Sequence, residues 1–340
     1  MEQHSNGDMI TGRSSQAMSA PELSVVVVAR NEENVIGRCL DSVVHAVSHR
    51  NAEILFVDSA STDRTVEIAQ CYPIGIVRLD PHLSLSPSAG RWLGTRLTNG
   101  EYLFFVDGDM VVIDGWLAHA LEVLGNQHVA GVGGRLFWIL PGEELHLGRR
   151  DDFPLGQVPG LGGAGVYRRR ALQECGTYNP FLRGEEEREL AYRLSSGGYT
   201  VERVEAPMAY HLNKPRSVQE NVERATYFRG VGQIMRHYAL RRIFWDLLRE
   251  QREPFLFWAF VIVLFLLFAG STARHSHLAL TALAAVTLLG ATALAIWKGF
   301  RRVWLYLHEQ WLYGVRFLQG LMIGLPPADR YPERFTREKQ

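Results

Sequence analysis

A pair of carboxylates separated by one glycine is the clearest chemical signal in the sequence. Asp107-Gly108-Asp109 directly follows Tyr102–Val106, an apolar run that predicts a buried strand. Carboxylate oxygens suit Mg²⁺ or Mn²⁺, which fill their remaining positions with water and substrate phosphates. Gly108 would let a ligand approach the backbone closely. A ligand-free turn of Asp and Gly is the alternative, but the position behind a buried strand favours a metal site.

Two further acidic positions could also do chemistry. Asp58 follows a second apolar run, Ile54–Val57, where a carboxylate can accept hydrogen bonds from a ribose or a base edge. Asp63 is better explained as a polar residue that starts a helix. Glu185–Glu189 would lie in the first turn of another helix, where each Glu is favourable by about 0.3–1 kcal/mol. A carboxylate there could equally deprotonate a hydroxyl, worth about 10²–10⁴-fold in rate, so the residues alone leave both interpretations open.

Strand and helix patterns alternate through the first two hundred residues. Short apolar runs predict strands, and helices are expected after polar starts, with Asn31 and Asp114 as caps and Ser86-Pro87 opening a third helix. The strands predicted in this way are Leu23–Ala29, Ile54–Val57, Ile74–Leu79 and Tyr102–Val106. The alternation indicates an α/β fold with a doubly wound, mostly parallel sheet and flanking helices. Ligands bind beyond the carboxyl ends of the strands in such sheets.

Composition narrows the classes of function. The 340 residues suffice for one α/β domain with an appendage, and Lys+Arg and Asp+Glu are both 36, so the formal net charge is zero. This balance argues against a nucleic-acid partner. Cys39, Cys71 and Cys175 are scattered and fit neither a disulfide framework nor a zinc spacing, which favours a reducing compartment.

The C-terminal third is expected to reach a membrane. Residues 255–270 and 278–297 contain no charged residue and predict a transmembrane hairpin within a membrane region at 241–325. Arginines and lysines flank both outer ends, which places those ends in the cytoplasm. Residues 303–323 carry charges and predict an interfacial amphipathic helix. Two buried core helices are the alternative to the hairpin.

Four segments in this order resemble the motifs of family 2 glycosyltransferases of the membrane-anchored bacterial type. They are Val27–Glu33, Val57–Asp63, Asp107–Asp109 and Glu186–Leu190. The resemblance covers about residues 23–235 and implies a GT-A fold, a divalent cation (Mn²⁺ or Mg²⁺) and an inverting displacement at the anomeric carbon of a sugar. A catalytic domain is therefore expected over residues 22–240, before the membrane region. The polar composition of residues 1–21 predicts a disordered tail, and that of residues 326–340 predicts a loose tail.

Carried over by position, the resemblance assigns roles to individual residues. Glu187 would be the general base, with Glu186 as the close alternative, and Gly163 would lie in the acceptor-side glycine loop. His211 could join Asp107 and Asp109 at the metal, although a packed or capping histidine is as good an explanation. The donor would be bound by Ala29, Asn31, Glu32, Asp58, Arg91, Asp107 and Gly108, with Arg91 approaching the diphosphate.

The sequence departs from the family pattern at three places. Ala60 stands where glycine is usual, and Glu187 replaces the commoner Asp. Gln233–His237 only partly resembles the signature of processive polysaccharide synthases, so transfer of a single sugar is expected.

The expected enzyme takes a nucleotide sugar, with a UDP-sugar preferred, and glycosylates a hydroxyl of a glycan or lipid-linked acceptor. It would be a multi-pass protein of the inner (plasma) membrane, with its catalytic domain in the cytoplasm and in contact with membrane lipid. Two alternatives are a polyprenyl-phosphate sugar synthase, with Arg168–Arg170 as phosphate-binding cations, and a catalytically silent nucleotide-sugar sensor.

Overall fold

The computed structural model describes residues 20–338, apart from residue 84, residues 213–217 and most of residues 274–299. Within this part of the chain, ten strands form one sheet in the order β10-β3-β2-β1-β4-β8-β6-β9-β5, with β7 paired to β9. The strands are β1 (Leu23–Ala29), β2 (Ala52–Asp58), β3 (Gly75–Leu79), β4 (Tyr102–Asp107), β5 (Met110–Val112), β6 (Val129–Ile139), β7 (Gly156–Gln157), β8 (Ala164–Arg168), β9 (Thr200–Leu212) and β10 (Phe335–Arg337).

Helices cover this sheet and continue beyond it. They are α1 (Ile36–Ala46), α2 (Thr65–Ala69), α3 (Pro87–Leu97), α4 (Trp116–Val123), α5 (Arg169–Cys175), α6 (Glu186–Ser196), α7 (Val218–His237), α8 (Arg242–Glu250), α9 (Arg252–Ala273) and α10 (Phe300–Ile323). Two separate apolar clusters lie on the two faces of β1, because alternate residues of this strand belong to different clusters. A sheet covered on both faces is the doubly wound arrangement that the sequence predicts.

The prediction of a mostly parallel sheet holds for only one half. β3, β2, β1 and β4 are parallel to one another, and every residue of β1 is buried. From β4 onwards the sheet is mixed: β8 is antiparallel to both β4 and β6, whereas β6 and β9 are parallel. This change coincides with the point, near residue 129, after which strands and helices no longer alternate along the chain.

One of the predicted helix starts agrees with the structure, and two differ from it. Ser86 caps α3, since its side chain accepts a hydrogen bond from the Ala89 amide, and Pro87 occupies the first turn. Asn31 does not cap α1, which begins only at Ile36; its side-chain oxygen instead accepts from the Thr62 amide at 2.8 Å. α4 has Gly115 at its N-cap in the left-handed region (φ 80°), so Asp114 is not its cap. In both cases the chain needs extra loop residues before the helix can begin.

One helix among the described residues is long and apolar enough to cross a membrane. It is Arg252–Gly270 within α9, and none of this stretch is buried. Most of the second predicted span, residues 278–297, lies outside the described residues. α10 contains the predicted amphipathic segment and packs along α7 with direct backbone contact. A Cβ added at Gly320 would lie 2.1 Å from the Arg229 carbonyl oxygen.

The prediction of a loose C-terminal tail was wrong. β10 adds an antiparallel strand to the edge of β3, with Phe335 opposite Leu79. Tyr331 is 3% exposed, and its ring packs edge-on against Trp92 and Phe181. These two aromatic contacts and the free edge of β3 hold a segment whose polar composition suggested disorder.

Candidate active site

The predicted acidic residues meet where the parallel strands end. In the β1 registers, Ala29 lies beside Asp58 of β2 and Val28 beside Asp107 of β4. Asp58 and Asp107 therefore flank the end of β1 at the carboxyl edge of the sheet. This is the crevice in which open α/β sheets bind their ligands.

Arg91 links this edge to the acidic start of α6. One of its terminal nitrogens lies 2.7 Å from Asp107 Oδ1, and the other lies 3.1 Å from Glu186 Oε1 and 3.2 Å from Glu187 Oε1. The arginine is 2% exposed, and its guanidinium lies over the ring of Tyr178 at 5.3 Å. We call Arg91, Asp107, Glu186 and Glu187 the Arg91 cluster. It joins residues 95 positions apart into one charge network.

Burial and like charge act on the carboxylates of this cluster. Burial raises the pKa of Asp107 to about 6, although Arg91 opposes that shift. Burial, followed by the charge of Glu187, also raises the pKa of Glu186. Arg91 contacts all three carboxylates of this cluster, and its approach to a donor diphosphate stays a prediction.

Asp109 and His211 form a second pair next to the Arg91 cluster. β5 and β9 pair Met110 with His211, which brings His211 Nε2 to 3.1 Å from Asp109 Oδ2. Burial opposes protonation of His211, but the hydrogen bond to Asp109 and the negative charges of Asp109, Asp107 and Glu32 together raise the imidazole pKa. The side chains of Asp107, Asp109 and His211 are each about a quarter exposed, so a ligand can reach them.

These residues fit a divalent cation in part. Neighbouring ligand atoms of an octahedral Mg²⁺, with bonds of about 2.0–2.1 Å, lie about 3 Å apart, which matches the 3.1 Å between Asp109 and His211. No group of three His, Cys, Asp or Glu side chains within the described ranges is arranged to hold a cation by itself. Sites with one or two carboxylates completed by water and substrate phosphates are usual for Mg²⁺, and this donor set suits such a site.

Asp58 lies at the carboxyl end of β2, where the sequence predicts a contact with the nucleotide. It is fully buried, its Oδ2 accepts from the Ser61 amide at 2.9 Å, and Arg78 Nε lies 3.2 Å away. Burial raises its pKa, while Ser61 and Arg78 lower it. Its Oδ1 has no hydrogen-bond partner within the part of the chain that the structure describes. Asp63 instead accepts from the Thr65 amide at 3.0 Å, the helix-start role favoured from the sequence.

Two loops beside Asp58 are joined by hydrogen bonds. The Asn31 amide donates to Ser61 Oγ at 2.9 Å, and the Glu32 amide donates to Thr65 Oγ1 at 2.7 Å. Ala60, where the family has glycine, adopts φ 59°. This left-handed conformation costs a residue with a Cβ about 1–2 kcal/mol, which explains a glycine preference at this position.

The glycines of the site serve packing more than ligand approach. A Cβ on Gly108 would lie 2.4 Å from Ala29 Cβ, so the space expected for a ligand is filled by Ala29. Gly163 has φ 42°, and its carbonyl accepts from the Asp107 amide at 2.8 Å. A Cβ there would lie 2.1 Å from Met110 Cε. Gly163 and Glu187 line the same small internal cavity.

Some important residues were missed by the sequence reasoning. Arg78 pairs with Asp58, and the signal for it is a charged residue inside an otherwise apolar strand. Tyr178, which stacks on Arg91, gave no recognisable signal.

Arg168–Arg170 lie at the wrong end of the sheet for phosphate binding, since Arg168 pairs with Tyr102 at the start of β4. Arg169 donates to the Thr95 carbonyl and Arg170 pairs with Glu174.

Comparison with known proteins finds a family that this chain resembles over part of its length. Residues 24–175 match the family described as Glycosyl transferase family 2. Among curated relatives, poly(ribitol-phosphate) beta-glucosyltransferase of Bacillus spizizenii is 28% identical over 150 residues, 43% of this chain and 20% of that protein. Beta-monoglucosyldiacylglycerol synthase of Nostoc sp. is 26% identical over 205 residues, 54% of this chain and 43% of that protein. The chain spans from about a fifth to about half of the length of such relatives.

Solved structures share the fold. Mannosyltransferase PcManGT from Pyrobaculum calidifontis, in complex with GDP-Man and Mn²⁺, has a TM-score of 0.55 at 18% identity, covering 89% of this chain and 88% of that one. S. aureus TarS 1-349 with UDP-GlcNAc has a TM-score of 0.50 at 17% identity, covering 63% and 66%. These likenesses confirm the GT-A-like arrangement of a mixed α/β sheet with flanking helices.

Proposed function

We propose that the chain is an inverting, metal-dependent glycosyltransferase, because residues 24–175 match the family described as Glycosyl transferase family 2. It would transfer one sugar from a nucleotide sugar, with a UDP-sugar as the expected donor, to a hydroxyl of a glycan or lipid-linked acceptor. The Arg91 cluster is the observation that carries the proposal. It brings Asp107, on the expected diphosphate side, and the acidic pair Glu186 and Glu187 within one guanidinium of each other.

The acidic pair supplies the base. We assign this role to Glu187, because its side chain is 18% exposed, against 11% for Glu186. A carboxylate that accepts the proton of the attacking hydroxyl typically contributes about 10²–10⁴-fold in rate. Arg91 holds Glu187 in place through a contact of 3.2 Å, and burial together with the charge of Glu187 raises the pKa of Glu186.

The leaving diphosphate needs positive charge. Asp109 and His211, with Asp107 beside them, would hold a divalent cation that neutralises the charge developing on the departing group. Asp58 would hold the nucleoside end through its unpartnered oxygen. The Bacillus relative is named as a glucosyltransferase and the Nostoc relative as a monoglucosyldiacylglycerol synthase, which supports a hexosyl donor.

Two residues of the partial processive signature, Gln233 and Arg236, make structural contacts, which supports transfer of a single sugar. Gln233 donates to the carbonyls of Phe181 and Gly324 at 3.0 and 2.9 Å. Arg236 donates to the carbonyls of Leu321 and Met322 at 2.7 and 2.6 Å. Both side chains hold backbone segments together, so neither is left to bind a growing chain.

Action at a membrane face is supported by the route from α6 to α9. Arg188, the residue after Glu187, contacts Glu250 at 2.6 Å, and α9 begins two residues later at Arg252. The apolar surface of α9 is unburied, and α8 buries Ile243 and Leu247 while leaving Trp245 half-exposed. A bilayer would cover α9, which would bring the acidic pair close to membrane-borne acceptors.

A two-step assay tests the proposal. Thermal-shift measurements with Mn²⁺ and a panel of nucleotide sugars should give stabilisation by one donor, because binding to the folded state raises apparent stability. That donor is then incubated with the protein in lipid nanodiscs and membrane extract, and products are analysed by mass spectrometry. We expect one added hexose per acceptor. Binding without hydrolysis or transfer would support the silent sensor instead, and a ladder of masses would contradict single transfer.

A further inference from the structure

Two arginines outside the Arg91 cluster lie on neighbouring backbone segments close to the acidic pair. Gly184 lies against α7 so closely that a Cβ on Gly230 would be 2.2 Å from the Gly184 carbonyl oxygen. Arg183 and Arg229 directly precede these two glycines. The backbone contact therefore places the two arginine residues on neighbouring segments, with Arg183 three residues before Glu186.

The charges in this region repel one another. Burial is the main cause that lowers the pKa of Arg183, and the positive charges of Arg229 and Arg30 lower it further. Arg30 follows β1 at the carboxyl edge of the sheet and is exposed. Arg183 also donates a hydrogen bond to the Leu85 carbonyl, which holds its guanidinium between the start of α3 and α7.

The neighbouring acids are already paired elsewhere. Glu185 pairs with Arg188 at 2.8 Å, and Glu186 and Glu187 pair with Arg91. Neither Arg30 nor Arg229 forms an ion pair with any of the described residues. The Nε of Arg229 is shielded from solvent and lacks a hydrogen-bond partner within the described ranges. A buried hydrogen-bond donor without a partner is costly, so an anion from outside the chain that accepts from Arg229 Nε would stabilise this arrangement.

We propose that Arg183 and Arg229 form a subsite for a phosphate group. The planar guanidinium fork matches phosphate oxygens and binds them through strong charge-assisted hydrogen bonds. This inference rests on the proposed function and adds a ligand chemistry to it. The phosphate belongs either to the diphosphate of the donor or to a phosphate on a membrane-borne acceptor, and these two sources are separable by experiment.

The test compares phosphate probes with the full chain in detergent micelles. Binding of UDP, uridine and a short-chain alkyl phosphate is measured by calorimetry for the wild type and for Arg229→Gln. Arg183→Gln provides a second variant in case the first fails to fold, and Arg229→Lys tests whether charge alone suffices. Arg170→Gln is the matched control, because Arg170 is an exposed arginine paired with Glu174 at the opposite end of the sheet.

Loss of a charge-assisted contact should weaken phosphate binding about tenfold or more. Weaker UDP binding with unchanged uridine binding would assign the phosphate to the donor. Weaker alkyl-phosphate binding with unchanged UDP binding would assign it to the acceptor. The subsite is refuted if the wild type binds neither phosphate probe, or if Arg229→Gln and Arg183→Gln bind both as the wild type does. A wild-type protein that binds the probes but transfers no sugar would instead refute the proposed function alone.

Discussion

Replacing Arg91 by methionine should destabilise the protein strongly. Methionine keeps much of the side-chain volume but removes the guanidinium that lies 2.7–3.2 Å from Asp107, Glu186 and Glu187. The three carboxylates would then face one another in a largely buried place. Removing one partner of a buried ion pair typically costs about 3–5 kcal/mol. Because the Asp107 side chain is 29% exposed, we take the lower end, about 3 kcal/mol.

This energy converts to a measurable change in melting temperature. For a domain of 150–250 residues, each kcal/mol shifts Tm by about 2–4 °C, so Arg91→Met should lower Tm by about 6–12 °C. Arg91→Lys should fall in between, since a single ammonium cannot span both Asp107 and the acidic pair. The assay is thermal unfolding of the full chain in micelles, followed by tryptophan fluorescence.

Arg64→Met is the matched control for this experiment. Arg64 also pairs with a carboxylate, Glu67, but its side chain is 69% exposed, and exposed pairs contribute about 0–1 kcal/mol. If Arg91→Met lowers Tm no more than Arg64→Met does, the Arg91 cluster contributes nothing to stability. The positioning role assigned to Arg91 would then be refuted.

Three further outcomes are expected. Glu187→Gln should lower transfer by about 10²-fold or more while donor affinity stays near wild type; if the matched Glu186→Gln shows this pattern instead, the base is one residue earlier. Asp109→Asn should weaken Mn²⁺ binding and transfer together, measured by titration and by product yield, and full transfer in excess EDTA would contradict the metal assignment. Ala60→Gly should raise the free energy of unfolding by up to about 1 kcal/mol, because relief of the left-handed strain exceeds the entropy cost of glycine; a lower urea midpoint would argue against strain at this position.

The sequence was informative where local pattern and tertiary position agree. Leu23–Ala29 is apolar throughout because both of its faces are covered, so its length and its place in the sheet could be predicted from composition. Asp58 and Asp107 could be placed together because parallel strands end at one edge. Ser86 and Pro87 predicted the start of α3 because capping is a local property of the chain.

Predictions failed where distant contacts decide the structure. Asn31 has the chemistry of a cap, but its side chain is held by Thr62 across the crevice. The tail looked loose because a three-residue edge strand has little local signal, and its stability comes from β3 and from Tyr331 packing. The contact of Arg91 with two elements far along the chain could not be read from spacing, since Arg91 and Glu186 are 95 residues apart.

The family match ends at residue 175, before the acidic pair, and the structure gives a physical reason to treat the two parts separately. Glu185 adopts φ 60° just ahead of α6, a conformation that persists only when its surroundings enforce it. Those surroundings come from later in the chain: Gly230 packs on Gly184, Gln233 accepts from the Arg183 amide at 3.3 Å, and Glu250 binds Arg188. The first part thus carries the candidate donor residues together with Asp107 and Asp109, whereas His211 lies beyond it and the position of the proposed base depends on helices that lead to α9. A change in the position of α7 and α8 would therefore move the acceptor side of the site while leaving Asp58 and Asp109 in place.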